Sequence, residues 1–325
     1  MATTNTGLGG DASVPGERVH TGPEGPDQDE GQRPGEAKRL SRGRIVARRF
    51  ARNKTALAGL VGYALLVLVA LVGPLLLPWG YKDIDQEAFL RPPSDSHPLG
   101  TTQAGKDVLA LTIEGLRKSM MIGLGVAVLQ TVVAATIGSF AAYFGRWFER
   151  IALWVIDLLL VVPAFLFIAI IMTQSGGGGS SVPRLIFLLV LFGWMLSARV
   201  VRSMTLGIKN LEYVTAARYM GVRAPVIVFR HIIPNISSLL IIDATLAVAS
   251  AVLGETSLSF FGFGVQAPET SLGTLIAEGQ SVASTYPWIF LAPATALTLM
   301  LVFINFVGDG LRDALDPSSK SGGTA

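Results

Sequence analysis

The 325-residue sequence contains no cysteine and few charged side chains, and both shortages limit what the chain can do. Without cysteine there is no disulfide bond, no thiolate nucleophile and no cysteine-ligated metal. The three histidines, His20, His97 and His231, are far apart in the sequence and show no metal-ligand spacing. Only 15% of the residues are charged, whereas an average soluble domain is about one-quarter charged.

Long runs without charge explain this deficit, because hydrophobic residues make up half of the chain and are gathered into blocks. A helix needs about 20 apolar residues to cross roughly 30 Å of hydrocarbon, and its backbone satisfies its own hydrogen bonds there. The strongly alternating pattern of a membrane barrel is absent. The sequence therefore predicts an all-α membrane protein with six transmembrane helices. The expected spans are residues 56–77, 120–144, 151–173, 184–206, 235–253 and 288–307.

The segments that flank these spans are polar. Residues 1–37 are rich in glycine, proline and acidic residues, which predicts a disordered N-terminal tail. Residues 38–55 carry eight Lys or Arg side chains and no acid. This basic segment and the formal net charge of +3 are compatible with a nucleic-acid patch, but a basic run directly before an apolar helix favours a positive-inside anchor. Residues 56–310 are expected to form the transmembrane domain, and residues 311–325 a C-terminal tail.

The positions of the charges predict the orientation of the chain. If the N-terminus is inside, the connections at 145–150 and 207–234 are internal. These two connections and the last turns of the fourth span, which lead into the second connection, hold eight Lys or Arg residues. The external connection at 254–287 has three glutamates and no Lys or Arg. Because basic residues are retained on the cytoplasmic side, both termini are expected in the cytoplasm.

One polar segment lies between the fourth and fifth spans. Residues 212–220 predict a short helix with a small-residue face at Ala216 and Ala217, and Gly221 is expected to end it. A second helix is expected to stop near Pro234, which cannot supply a helical N–H. Such a short amphipathic helix would either dock into a groove on another protein or lie on the lipid surface. The residues themselves leave both interpretations open.

The spacing of Ala216-Ala217, Gly221 and Pro234 resembles the EAA loop of bacterial ABC importer permeases. The strings EYVTAARYMG from Glu212 and RHIIPN from Arg230 resemble the dipeptide and oligopeptide branch of that family, specifically its C-type subunit. Three further strings are similar to motifs of the same branch, in the same order. They are HPLGT with GKD at 97–107, ETSLSFFGFG at 255–264 and GDGLRDALDP at 308–317.

The chain departs from the pattern of this branch at four positions. Thr215 stands where the loop usually has the glutamate after which it is named. In the external motif, Thr102 and Lys106 replace an Asp and an Arg, and Leu272 replaces a Trp that is common in the later external loop. These departures bear on the choice of substrate and binding protein more than on membership of the family.

The resemblance implies a type I importer fold in the plasma membrane, crossing the lipid bilayer several times. This chain and a B-type permease subunit would form a pathway that opens alternately to each side. Two ATP-binding subunits would bind ATP and Mg, and an extracytoplasmic substrate-binding protein would dock on the external loops and deliver a peptide. Coupling to the ATPase would run through the loop at 207–234. Its residues would be Glu212, Thr215, Ala216, Ala217, Gly221, Arg230 and Pro234.

The chain has no G-x-x-x-x-G-K-[ST] sequence and no recognisable catalytic motif. It is therefore expected to be a non-catalytic subunit without a cofactor or metal of its own, and nucleic acid is not expected as a partner.

Three acidic residues lie within or beside the predicted spans. A charge in hydrocarbon costs about 2.5–3.5 kcal/mol on the insertion scale, so Asp157 and Asp243 should face the bundle interior or a water-filled path. Each residue either acts as a pathway or gating group that meets the amino terminus of a peptide, or forms a structural hydrogen bond between helices. Glu255, at the outer end of the fifth span, is expected to act as a gate or to face the substrate.

A secondary transporter driven by an ion gradient is the alternative from another class. It would predict inverted repeats with broken helices near the midplane, which the sequence does not show, and it would leave the Ala-Ala…Gly loop unexplained. Within the favoured family, dipeptides, longer peptides, glutathione and metal chelates all stay open as cargo, because the binding protein largely sets the specificity.

Overall fold

The computed structural model describes residues 42–174 and 180–315, and in these ranges the chain forms α-helices, one π-helical turn and no β-strand. The predicted tail at 1–37 lies outside the described residues, as do residues 316–325. In chain order the elements are α1 (Arg42–Arg52), α2 (Lys54–Leu76), α3 (Val108–Phe144), α4 (Arg146–Val161), α5 (Ala164–Gln174), α6 (Ser181–Ile208), α7 (Glu212–Tyr219), α8 (Ala224–Ile227), the π-helical turn (Val228–Ile232), α9 (Ile233–Phe260), α10 (Leu272–Gln280) and α11 (Pro287–Leu315).

Five helices are long and apolar enough to cross a membrane: α2, α3, α6, the continuous stretch Ala224–Phe260 and α11. The pair α4 and α5 makes a sixth span if it is counted as one. The all-α class and the approximate position of every predicted span are therefore confirmed. Five of the spans are longer than expected, since their ends carry polar residues that an apolar run does not include.

The third predicted span, residues 151–173, is wrong as a continuous helix. It is broken between α4 and α5, whose axes differ in direction by 73°. Val162 takes an extended backbone conformation there, with ψ of 125°. The cause is Pro163, because proline lacks an N–H and disfavours the helical conformation of the residue before it.

Helix α3 begins at Val108, well before the predicted start at residue 120. Asp107 caps it, since its Oδ1 atom accepts a 2.7 Å hydrogen bond from the backbone N–H of Ala110. The charged residues Glu114 and Lys118 interrupt the apolar run in this first part of the helix. The hydropathy of the sequence therefore underestimates its length.

The helix expected to stop near Pro234 does not stop there. Helix α8, the π-helical turn and α9 run on as one stretch, and Pro234 lies in the first turn of α9. The backbone N–H of Ile233 bonds to the carbonyl of Val228, five residues back, so the turn is wider than in an α-helix. A π turn shifts the hydrogen-bond register, and here it accommodates a proline that has no N–H to donate.

The core of the bundle lies between α3, α6 and α9. Buried apolar side chains from α3 and α6 interdigitate with the outer half of α9. Helices α2 and α11 pack together on the other side of α3, where Met300 of α11 is fully buried. The outward side chains of α2, such as Leu75 and Leu76, are largely exposed, as expected for a helix that faces lipid.

Candidate coupling surface and transport pathway

Helix α7 ends where the sequence predicts. Gly221 has φ of +77°, a left-handed conformation that glycine adopts without steric cost. The backbone N–H of Val222 then bonds back to the carbonyl of Ala217 at 3.1 Å, which closes the end of the helix. The chain therefore turns sharply after α7 and enters α8.

The two alanines of α7 lie on different faces, which corrects the expectation of one small-residue face. Ala217 is buried, and it packs with Val214 and Ile227 in a small cluster between α7, α8 and the π turn. Ala216 is exposed. Neighbouring residues on a helix point about 100° apart, so one alanine packs inward while the next faces out.

The outer face of α7 and the turn after it form a continuous exposed surface, here called the coupling surface. Tyr219 and Met220 have 86% and 76% of their area exposed, which is unusual for such side chains. Glu212, Tyr213 and Ala216 are exposed beside them.

The coupling surface is held on the end of α3. The Arg218 guanidinium lies 5.1 Å from the centre of the Tyr143 ring, within the range of a cation–π contact. Lys209 Nζ donates a 2.9 Å hydrogen bond to the carbonyl of Ala142. The cluster around Ala217 also contacts Phe140 and Tyr143 of α3. Movement of α7 is therefore tied to movement of α3.

The remaining residues predicted for this loop have separate positions. The Thr215 hydroxyl, where the family usually has a glutamate, makes a 3.4 Å hydrogen bond to the carbonyl of Asn210. Arg230 is exposed in the π-helical turn, and Pro234 is exposed in the first turn of α9. Only Glu212 and Ala216 of the predicted set lie on the outer face of α7, with Gly221 just beyond its end.

A cavity of about 460 Å³ lies between α3, α5, α6 and α9. Its walls are mainly apolar, and Phe165 and Phe192 supply aromatic surface. Asp243 is the one charged side chain among the described residues that line it. The Oδ2 atom of Asp243 is buried and has no hydrogen-bond partner in the described part of the chain.

Asp157 does not line this cavity but pairs with a cation. Its Oδ1 atom accepts a hydrogen bond from Arg199 of α6. A second ion pair joins the same two helices, since Arg202 Nε lies 2.6 Å from Glu149 Oε1. The sequence indicated Asp157 as a buried or pathway group but gave no sign of its partner. The contact agrees with the structural interpretation of Asp157.

Glu255 is not on a water-filled path in this structure, contrary to the expectation that it faces the substrate. Its side chain is fully buried. The hydroxyls of Ser259 and Ser271 each donate a 2.6 Å hydrogen bond to Oε1, and the hydroxyl of Ser119 lies 3.4 Å from Oε2. These serines come from α9, from the start of α10 and from α3, and single-sequence patterns gave no signal for their meeting.

The motif at 97–107 forms a buried cluster around His97. The His97 Nδ1 atom lies 2.8 Å from Oδ2 of Asp107, and Nε2 lies 3.3 Å from Oδ2 of Asp85. The backbone N–H of Glu87 and the His97 ring together lower the pKa of Asp85. The resemblance put His97 and Asp107 in one motif, whereas Asp85 was not expected there.

A second cavity of about 580 Å³ lies between the segment that follows α2 and the loop that contains α10. Glu269 and Glu278 are among the residues that line it. Burial would raise the pKa of Glu269, but hydrogen bonds from Ser180 and Lys118 outweigh it and lower that pKa. Loss of hydration raises the pKa of Glu278, and attraction to Lys106 only partly offsets this.

Comparisons with known proteins cover nearly the whole described chain. A family model described as "Binding-protein-dependent transport system inner membrane component" matches residues 134–321. Another, described as "N-terminal TM domain of oligopeptide transport permease C", matches residues 41–93. The oligopeptide transport system permease protein OppC of Mycobacterium tuberculosis strain H37Rv is 52% identical over 281 residues, which cover 86% of this chain and 96% of that protein. The OppC protein of Bacillus subtilis strain 168 is 34% identical over 283 residues, covering 87% and 92%.

Proposed function

The chain belongs to the family of binding-protein-dependent transport system inner membrane components, and we propose that it is the C-type permease subunit of an ATP-dependent peptide importer. It is a multi-pass membrane protein of the plasma membrane. The names of its relatives in Mycobacterium and Bacillus support peptides as the cargo. The match of residues 41–93 to a C-type domain supports the subunit type.

We infer that this chain works with a B-type permease, two ATP-binding subunits and an extracytoplasmic substrate-binding protein. The chain itself hydrolyses no ATP in this proposal, and ATP and Mg are bound by the partner subunits. Both termini lie in the cytoplasm, which puts the arginine-rich loop that contains α7 on the same side as the ATPase. The charge asymmetry of the connections supports this orientation.

The single observation that carries the coupling role is the form of the coupling surface. Its inner side is fixed to α3 through Arg218, Lys209 and the cluster around Ala217, while Tyr219 and Met220 are exposed. A helix presented on a rigid frame loses little conformational freedom on docking, which favours a protein groove as its partner. A push on α7 would be transmitted directly to α3.

Reconstitution tests the proposal. The chain alone in lipid vesicles should neither hydrolyse ATP nor transport peptide. Adding the B-type permease and the ATP-binding subunits should produce basal ATP hydrolysis, and peptide-loaded binding protein should raise it and drive uptake. Peptide flux through the chain alone, driven by an ion gradient and indifferent to ATP, would overturn the proposal in favour of a secondary transporter.

A further inference from the structure

We propose that the cavity between α3, α5, α6 and α9 binds the N-terminal residue of the peptide, with Asp243 accepting hydrogen bonds from the peptide's α-ammonium group. This inference rests on the proposed function, since it takes a peptide as the cargo. It assigns a binding step to this chain itself, separate from recognition by the binding protein.

The cavity suits part of a peptide in size and in surface. Its volume of about 460 Å³ lies within the range of small-molecule sites, roughly 300–1,000 Å³. The walls formed by Phe165, Ile168, Phe192 and Leu246 are apolar and not shaped around one chemical group. Such walls accept side chains of many kinds, which an importer of varied peptides requires.

Asp243 supplies the charge that such a site needs. A buried carboxylate oxygen without a partner is unfavourable, because it has lost its water without gaining a hydrogen bond. Its Oδ2 atom is in this situation, and the side chain lines the cavity. A cationic ligand bound in the cavity would offset part of this penalty by attraction to the carboxylate, whose side chain lines the cavity. An anionic ligand would meet only repulsion from the same group.

Gln130, which packs against Gly193, adds a second polar group to the cavity wall. The buried side chain of Gln130 lies directly against Gly193, and both line the cavity. A Cβ at position 193 would collide with Gln130 Oε1, so glycine is needed there for the amide to occupy this place. An ammonium group has three donors, and the groups that line the cavity include three acceptors from different helices, namely the carboxylate of Asp243, the amide oxygen of Gln130 and the hydroxyl of Ser197.

The α-ammonium is the cation that fits this arrangement. Every linear peptide with a free N-terminus carries it, whatever its sequence or length. One carboxylate in an apolar cavity therefore recognises the constant part of the cargo, while the apolar wall holds the variable side chain next to it.

The absence of cysteine from the sequence allows a direct test. Ser250 lines the cavity and is exposed, so Ser250→Cys provides a single reactive thiol in this chain. The variant is assembled with cysteine-free partner subunits in vesicles, without binding protein, and the rate of thiol labelling is measured. A tripeptide with a free amino group is compared with the same tripeptide in which that amino group is replaced by hydrogen.

The free tripeptide should slow the labelling about tenfold when it is present at about ten times its Kd, since the free fraction of sites is 1/(1 + [L]/Kd). The des-amino peptide should not protect. Adding Asp243→Asn should abolish the protection by the free tripeptide. Asp309→Asn is the matched control, because it removes an exposed carboxylate of α11 that does not line the cavity, and protection should persist.

Equal protection by both peptides, protection that survives Asp243→Asn, or no protection at all would each overturn the inference. A second measurement tests the proposed function separately from this inference. It is the ATP-driven uptake of the free tripeptide in the same vesicles after binding protein is added. Normal uptake without protection overturns only the inference. Absence of uptake by the complete assembly overturns the proposed function as well.

Discussion

The hydroxyl of Ser271 donates a 2.6 Å hydrogen bond to Oε1 of Glu255 and, as the N-cap of α10, accepts one from the backbone N–H of Thr274 at 3.2 Å. One small side chain therefore joins the buried carboxyl near the C-terminal end of α9 to the start of α10. The hydroxyl of Ser119 in α3 donates a hydrogen bond to the other oxygen of the same carboxyl. The three helices α3, α9 and α10 are therefore linked through one carboxyl group.

We expect Ser271→Ala to lower the thermal stability of the purified chain. Loss of the N-cap costs about 0.5–2 kcal/mol, and a buried acceptor without its donor costs about 1–3 kcal/mol. The melting temperature in detergent is the measurement. Ser281→Ala at the other end of α10 is the control, since its hydroxyl is exposed and bonds only to the Glu278 carbonyl. Equal losses in the two variants would contradict the role assigned to Ser271.

Glu278 and Glu269, which line the second cavity, should respond to pH in opposite ways. A carboxyl whose pKa is raised on folding, like that of Glu278, favours the folded state below its unfolded pKa of about 4.3, and this contribution disappears as pH rises through the folded pKa. Glu278→Gln should therefore raise the melting temperature at pH 7 and change it little near pH 4.

Glu269 provides the matched contrast, because its pKa is lowered. Its contribution to stability is present above about pH 4.3 and is lost as pH falls through the folded pKa. Glu269→Gln should lower the melting temperature at pH 7, and the loss should shrink on acidification. If the melting temperature changed with the same sign in both variants across the pH range, loss of hydration and pairing would not be what sets the pKa values of these two carboxyls.

Neighbouring alanines of α7 should give different defects when enlarged. Ala216→Trp adds bulk to the coupling surface, so the chain should stay folded while ATPase stimulation and uptake are lost. Ala217→Trp forces a large ring into a packed cluster, an overpacking that costs typically 1–3 kcal/mol, so it should lower the melting temperature. Normal uptake by a stable Ala216→Trp variant in the full assembly would exclude a docking role for this face.

The Asp157–Arg199 pair predicts non-additive effects. Asp157→Asn and Arg199→Gln should each lower the melting temperature slightly, because each removes one partner of a partly exposed ion pair between α4 and α6. The double variant should recover part of the loss, with a coupling energy of about 0.2–1 kcal/mol. If uptake falls in Asp157→Asn without a loss of stability, and Arg199→Gln does not compensate, Asp157 acts in the pathway instead.

The class of the protein, the position of its membrane-spanning segments and its family could all be predicted from the amino-acid sequence. The length of an apolar run is a one-dimensional property, and the hydrocarbon core imposes its thickness on it directly. The end of α7 was equally predictable, because the left-handed turn at Gly221 depends on one residue type. The order of the motifs, from His97 to Pro317, was enough to indicate the family.

The surroundings of each polar side chain, in contrast, depend on how the helices pack. Asp243 and Glu255 both lie on α9. The Glu255 carboxyl is enclosed by three serines, whereas Asp243 has a buried oxygen without a partner in the described residues and lines a cavity. The sequence does not distinguish them, because the donors to Glu255 lie up to 136 residues away. The same reason explains why Ala216 is exposed and Ala217 is buried. Helical geometry sets the direction of each side chain, but the elements that pack against the helix determine which of its faces is buried.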